Sequence, residues 1–238
     1  FDKAAWLGIV PEFNPFKFNS FPVNGARQSS LVARRLQAQI DRHARENQLK
    51  GLPPVLTFQS VVDFTVSTRA IVSALYANLP ANGSELVLFD INRNARFGPL
   101  LRSSVDTTVS RLLPEPPRNF RSTLVTNVSR QSDQVVARTI DAGSTTETVQ
   151  ELGLAFPSGV FSLSHLAIPF PLSDPLYGLQ PDTSEDYGAN LGAIATRGER
   201  GTLIVSIDSL ARMSSNPFFD FVMQRIEAGI GRGAAPKP

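Results

Sequence analysis

The sequence predicts an α/β fold with a parallel sheet, and two apolar runs with a helical pattern between them carry that prediction. Residues 55–59 and 85–90 are short, continuous apolar runs bounded by proline, glycine and polar residues, which is typical of strands buried on both faces of a parallel sheet. Between them, residues 67–79 carry apolar side chains at the spacing of one helix face. Strand, helix and strand in this order form the βαβ unit of a doubly wound sheet.

The composition excludes several classes of protein. The chain has 238 residues, of which 42% are apolar and 18% charged, the balance of a soluble globular domain. It has no cysteine and two histidines, so disulfides are excluded and a zinc cluster is not expected. Lys and Arg number 23 against 21 for Asp and Glu and form no dense run, which does not favour nucleic-acid binding. No apolar run approaches the roughly 20 residues of a membrane-spanning helix. We predict neither a cofactor nor a metal.

The segments outside this unit supply two further helices. Residues 6–23 are rich in proline and phenylalanine and lack any period, which indicates an aromatic loop. An amphipathic helix is predicted over residues 25–48, where apolar and arginine side chains fall on different faces. Ser67 is the expected N-cap of the helix between the two strands. Asn216 is the expected cap of a last helix, which begins at a proline and spans residues 217–228.

The middle of the chain is less regular. A short helix is predicted over residues 103–113, before a proline-rich break. Residues 122–128 and 134–140 resemble two strands joined by the polar stretch SRQSD, which predicts an antiparallel hairpin. A further short strand is predicted at residues 203–207, and residues 231–238 are expected to form a flexible tail.

Two side chains are candidates for catalysis. In open α/β sheets, reactive groups sit in the loops beyond the carboxyl ends of the strands. Asp63 occupies such a loop after the first apolar run, although an aspartate there can also simply precede or cap a helix. His165 lies in a tight loop, and an imidazole both accepts and donates a proton near neutral pH. Asp90, at the end of the second run, is the rival acid, whereas His43 falls on the solvated face of an arginine-rich helix.

Four motifs resemble those of a known enzyme family. They are FQSVVDFTV, SELVLFD, SHLAIPFPLSDPLYG and NPFFDF. Together they resemble the carboxy-terminal half of an α/β-hydrolase, close to the serine aminopeptidase and lysophospholipase-like branch of bacterial proteins. The resemblance covers nearly the whole chain and implies an α/β-hydrolase sheet.

The resemblance implies a Ser-His-Asp mechanism. Asp63 would be the acid of the triad and His165 the general base and then the general acid. The order of acid before histidine agrees with the Ser, Asp, His order of this fold. The implied activity is that of a carboxylesterase or lipase acting on a small acyl substrate, an ester bond being favoured over an amide or peptide bond. The family also suggests the bacterial cell envelope or periplasm rather than the cytoplasm.

The chain departs from the family pattern in two ways. It lacks the G-x-S-x-G motif that presents the nucleophile. We therefore expect the serine on an amino-terminal part that precedes Phe1, supplied by a separate polypeptide, with self-association as the alternative. Asp63 and His165 are also farther apart in sequence than one helix and one strand require, which predicts an insertion over residues 93–160 within a single domain of residues 1–230. The rival reading is a non-catalytic α/β binding or assembly module that has lost its nucleophile.

Other polar clusters carry weaker signals. Asp182, Glu185 and Asp186 could hold a hard cation, but the sequence has neither the loop length nor the glycine of a calcium-binding loop. Asp174 and Tyr177 could shape a pocket, although an Asp-Pro pair is first of all a turn former.

Overall fold

The computed structural model describes the chain over most of its length. The described residues are 5–8, 20–61, 63, 66–92, 111–156, 170–176, 178, 180, 182, 184, 194–196, 211–213 and 215–233. The predicted strand at residues 203–207 and most of the predicted helix at 103–113 lie outside these ranges. No helix within them is both long enough and apolar enough to cross a membrane.

The elements follow one another in the order of the predicted unit, with further strands after it. The strands are β1 (Trp6–Gly8), β2 (Phe21–Pro22), β3 (Leu56–Ser60), β4 (Glu85–Asp90), β5 (Arg121–Asn127), β6 (Gln134–Ile140), β7 (Glu147–Ala155), β8 (Ile194–Thr196) and β9 (Ala211–Met213). The helices are α1 (Val23–Arg45), α2, which comprises Thr68–Ala70, Ile71–Leu75 and Tyr76–Asn78, and α3 (Phe219–Gly233), with a single 3₁₀ turn at Leu49–Gly51.

A mixed five-stranded sheet organises these elements. Its order is β3-β4-β5-β6-β7. Strands β3, β4 and β5 run parallel, and β6 and β7 follow antiparallel. The α/β class, the βαβ unit and the antiparallel pairing of β5 with β6 are therefore confirmed. The hairpin strands continue the main sheet, because β5 is hydrogen-bonded directly to β4. That residues 93–160 are an insertion stays a prediction.

Strand β4 lies at the centre of the packing, since all six of its residues are buried. Leu86 and Leu88 face one apolar core, to which α2 contributes Val72 and Tyr76. The alternate residues of β4 face a second core. Helix α3 closes this second core with the side chains of Phe221 and Val222, together with Phe218 of the turn before it. Helices thus cover both faces of the parallel part of the sheet, as a doubly wound arrangement requires.

The start of α3 follows the predicted capping. The Oδ1 atom of Asn216 accepts a hydrogen bond of 2.9 Å from the backbone N–H of Phe218. Pro217 and Phe218 form a turn, so the helix begins at Phe219, two residues later than predicted. It continues to Gly233, beyond the predicted end, and includes the first residues of the predicted tail.

Three predictions of local structure need correction. Strand β3 is less buried than predicted, because it is the outer strand of the described sheet and its residues Leu56, Thr57 and Phe58 are only half-buried. Helix α2 begins at the predicted cap, where Ser67 Oγ accepts a hydrogen bond from Ala70 N–H, but it passes through π and 3₁₀ turns rather than a regular α-helix. Strand β7 was not predicted, since most of its residues are exposed and its apolar residues follow no regular alternation.

A buried carboxylate joins three elements at the start of β4. The side chain of Glu85 is 3% exposed. Its Oε1 atom lies 3.5 Å from Arg225 of α3 and 3.8 Å from Arg121 of β5. The hydroxyl of Thr123 donates to the same oxygen at 3.1 Å. Arg225 also lies over the ring of Phe221, so its guanidinium is held by charge and by aromatic contact together.

We predict that Glu85→Ala lowers the free energy of unfolding by about 3–5 kcal/mol, because it leaves two guanidinium groups without their shared buried carboxylate. Glu147→Ala is the matched control. Glu147 pairs with Arg138 at 3.6 Å in a half-exposed position, so its loss should cost less than about 1 kcal/mol. Urea unfolding followed by circular dichroism measures both values. Equal effects of the two substitutions would contradict the role given to Glu85.

Tyr76 connects α2 to the same end of the sheet. Its hydroxyl donates to the backbone carbonyl of Glu85 at 2.6 Å and lies 2.8 Å from the hydroxyl of Thr57. Its ring packs edge-on against Phe120. Burial, assisted by the charge of Glu85, raises the pKa of Tyr76 from 10.0 to about 12. The folded state therefore favours the neutral phenol of Tyr76 over its phenolate.

We predict that this tyrosine makes the protein sensitive to alkali. Since the folded pKa lies above the unfolded one, the stabilisation is complete below pH 10 and is lost as the pH rises towards about 12. Tyr76→Phe should remove that part of the pH dependence, at a loss of about 1 kcal/mol at neutral pH. Unfolding free energies measured between pH 8 and pH 12 test this, and an unchanged slope in the Phe variant would refute it.

Candidate functional site at the carboxyl edge of the parallel strands

Asp63 lies just beyond the carboxyl end of β3, as the sequence predicts. Its backbone N–H donates to the carbonyl of Ser60 at 3.3 Å, and its Oδ1 atom accepts a hydrogen bond of 2.9 Å from the N–H of Val66. The residue is half-buried. The cap of α2 is Ser67 and not Asp63, so the carboxylate stabilises the turn between strand and helix.

The base of this loop is braced by buried polar side chains. The Nε2 atom of Gln59 donates to the carbonyl of Val66 at 3.0 Å and to Thr68 Oγ1 at 3.1 Å. Thr68 in turn donates to the carbonyl of Ser60 at 2.7 Å. The two ends of the loop are thus tied to each other on either side of Asp63, which restricts where its carboxylate can lie.

Asp90 stands at the same edge, one strand further into the sheet. Ser60 pairs with Phe89, the neighbour of Asp90, so the two candidate acids follow adjacent parallel strands. Asp90 is 8% exposed. Its backbone carbonyl accepts a hydrogen bond of 2.8 Å from Thr126 Oγ1. Asp90 therefore belongs to the strand itself, whereas Asp63 belongs to a loop.

A pair of asparagines completes this edge and was not predicted. Asn92 has a positive φ of 57° and is buried. Its N–H donates to Asn127 Oδ1 at 2.7 Å, and Asn127 Nδ2 donates to Asn92 Oδ1 at 3.2 Å and to the carbonyl of Ser132 at 3.0 Å. Asparagine tolerates this backbone conformation better than most residues. The available signal was an asparagine two residues after the end of a predicted strand.

The second predicted catalytic residue, His165, lies outside the described residues. Its pairing with Asp63 therefore stays a prediction. His43 lies on α1, where its Nδ1 atom is 2.7 Å from Gln48 Oε1 and 4.0 Å from Glu46 Oε2. This partly exposed position agrees with the predicted surface role.

The described residues that come next after His165 in sequence, 170–176, include a tight turn. Asp174 Oδ1 accepts a hydrogen bond from the N–H of Leu176, and the carbonyl of Asp174 accepts one from Gly178. A Cβ atom at Gly178 would lie 2.3 Å from that carbonyl oxygen, so no other residue fits without a shift. The turn-forming role of Asp174 is thus confirmed, and Tyr177 lies outside the described residues.

The predicted weak cation cluster gains no support. Asp182 is exposed, and hydrogen bonds from Ser184 lower its pKa. Its Oδ1 atom accepts the N–H of Ser184 at 2.8 Å, which is a local turn. Glu185 and Asp186 lie outside the described residues, within which no three His, Cys, Asp or Glu side chains are grouped to hold a metal.

Comparison with known proteins identifies no relative of this chain. No family model matches the chain, and no significant match is found among curated proteins or solved structures.

We predict that Asn127→Ala destabilises the protein by about 1–3 kcal/mol, because it removes the oxygen that receives the buried N–H of Asn92. Ser129→Ala is the control. Its hydroxyl accepts a hydrogen bond in an exposed turn of the same hairpin, so its loss should change stability by less than about 0.5 kcal/mol. Thermal unfolding measures both. A neutral Asn127→Ala would show that the asparagine pair does not hold this edge.

Proposed function

We propose that the chain supplies the acid and the base of a serine hydrolase of the α/β-hydrolase type, with the serine supplied by another polypeptide segment. The observation that carries this proposal is the position of Asp63. It lies in a braced loop at the carboxyl end of a parallel strand, which is where open α/β sheets hold reactive groups. The resemblance of the surrounding motif to the acid loop of that family supports the same assignment.

In the proposed reaction, Asp63 accepts a hydrogen bond from one ring nitrogen of His165. This interaction selects the tautomer of the imidazole and stabilises the imidazolium that forms. The other ring nitrogen removes the proton of the serine hydroxyl while the serine oxygen attacks the acyl carbon. His165 then gives this proton to the departing alkoxide, which leaves as an alcohol. A water molecule hydrolyses the acyl-serine by the same proton transfers.

Asp63 is preferred to Asp90 as the acid because of its setting. Asp90 is buried in the last position of β4, where it pairs with Thr126 of β5. A carboxylate there has little room to meet an imidazole from another loop. Asp63 is half-buried and displaced from the sheet by its turn, so an incoming histidine can reach it.

The proposed substrate is a small acyl ester, with amides and peptides as alternatives. The resemblance to carboxylesterase- and lipase-like proteins is what favours an ester bond. Arg121 and Arg225 contact Glu85 at the opposite end of β4 and are not assigned to this site.

We predict that substitution of Asp63 lowers the rate of ester hydrolysis much more than substitution of the other candidate acid, Asp90. In the assembled protein, His165→Ala should reduce hydrolysis of a short p-nitrophenyl ester to background. Asp63→Asn should lower kcat by roughly 10³–10⁴-fold, since it loses the acceptor that orients the imidazole. Asp90→Asn, the matched control, should lower kcat less than about 10-fold.

The outcomes separate the possibilities. A large effect of Asp90→Asn with none of Asp63→Asn would reverse the assignment of the acid. Activity of His165→Ala at the wild-type rate would exclude the mechanism. Absence of any hydrolysis by the assembled wild-type protein would favour a non-catalytic assembly module.

A further inference from the structure

The middle of helix α1 is surrounded by solvent. None of the 23 residues of this helix is buried, and every residue from 27 to 36 is exposed. The start of α1 contacts β2, which directly precedes it, and its second half contacts α2, where Gln37 Nε2 lies 3.4 Å from the carbonyl of Ala74. Between these contacts, about three turns of α1 expose all of their side chains.

Apolar and basic side chains lie on different sides of this exposed helix. Val32 and Leu36 are 64% and 55% exposed, and their spacing of four residues places them on one side. Helix α1 also contains one acidic residue and five arginines, namely Arg27, Arg34, Arg35, Arg42 and Arg45. At 3.6 residues per turn, Arg35 and Arg42 fall on a flank of the apolar side, and the other three arginines fall opposite it. The helix is therefore amphipathic, with a basic polar face.

An exposed tryptophan lies beside the start of α1. Trp6 is the single tryptophan of the chain and is 39% exposed. It belongs to β1, and its backbone pairs with Pro22, the residue directly before α1. Tryptophan is enriched where apolar and aqueous regions meet, because its ring is apolar and its indole N–H is polar.

We propose that α1 binds the surface of an anionic lipid membrane and lies parallel to it. Val32 and Leu36 enter the outer part of the acyl layer, and the arginines lie at the level of the lipid phosphates. The long side chains of Arg35 and Arg42, on the flank of the apolar side, are the best placed to reach phosphates while Leu36 is inserted. This role goes beyond the proposed function and involves neither Asp63 nor His165.

The combination of side chains favours a membrane over other anionic partners. A bilayer presents acyl chains directly beneath phosphates, so one surface receives both Val32 and Leu36 and the arginines. A nucleic acid would contact the arginines through its phosphates and leave the apolar side in water. A groove in an acidic protein would act on one side of the helix. The potential of an anionic membrane extends about 8–10 Å, close to the width of a helix, and so acts on all five arginines.

The test measures binding of the full chain to lipid vesicles by co-sedimentation. The vesicles consist of phosphatidylcholine alone, or of phosphatidylcholine and phosphatidylglycerol in equal parts. We expect the chain to bind the anionic vesicles at least about 10-fold more tightly than the neutral ones. Added salt should weaken this binding, because it screens the attraction between arginine and phosphate.

Arg35→Gln tests the charge of the helix. It should weaken binding to anionic vesicles about 5-fold, since one basic residue close to the surface is lost. Arg130→Gln is the matched control, because Arg130 is exposed in the turn between β5 and β6. It removes the same charge from another part of the surface and should change the affinity less than about 2-fold. Both positions are exposed, and circular dichroism checks that the two variants fold alike.

A fluorophore tests which side of the protein enters the lipid. The chain has no cysteine, so Val32→Cys gives a unique attachment point for a polarity-sensitive dye. We expect the dye at position 32 to report an apolar environment when anionic vesicles are added. Val149→Cys is the matched control, since Val149 is 56% exposed on β7, and its dye should report water throughout.

Several results would overturn the inference. They are no binding to anionic vesicles, equal binding to neutral ones, equal affinities of the two arginine variants, and equal responses of the two dyes. Binding of a DNA duplex or of polyglutamate, in the absence of vesicle binding, would assign the arginines to a nucleic acid or to an acidic protein instead. Vesicle binding is measured without catalysis, so this inference and the proposed function fail separately.

Discussion

The burial of β4 along its whole length is the constraint on which the rest of the structure depends. All six residues lie inside, so the strand needs helices on both faces and strands on both sides. Its first residue is a glutamate, and burial of that charge is compatible with folding because Arg121 and Arg225 lie within 4 Å of it. The same ion pairs connect β4 to β5 and to α3. The amino end of the parallel strands therefore stabilises the fold.

The carboxyl end of the same strands is organised differently. Here Asp63, Asn92 and Asn127 lie in or beside loops, and their side chains stabilise turns instead of balancing a buried charge. A carboxylate held by a turn keeps a defined position and stays half in solvent. A half-buried carboxylate held by a turn, beside the buried Asp90 of the same edge, supports the proposal that chemistry takes place at the carboxyl edge.

The parts of the fold that could be predicted are those with strong local signals. The apolar run of β4, the caps at Ser67 and Asn216, and the turn at Asp174 each depend on neighbouring residues in the sequence. Strand β7 could not be predicted, because its mixed polar and apolar sequence forms a strand only through pairing with β6. The ion pairs of Glu85 could not be predicted either, because Arg121 and Arg225 come from distant segments of the chain and the sequence around Glu85 does not indicate them. The position of Asp63 was predictable, whereas the asparagine pair beside it depends on the contact between β4 and β5.

The central claim is that an activated serine from another polypeptide meets Asp63 and His165. It is tested most directly by treating the assembled protein with a fluorophosphonate, which reacts with activated serines, and by sequencing the labelled peptide. The account predicts one labelled serine, in a polypeptide other than this chain, with labelling abolished when His165 is replaced by alanine. Labelling of a serine within the 238 residues, or no labelling of the intact assembly, would contradict it.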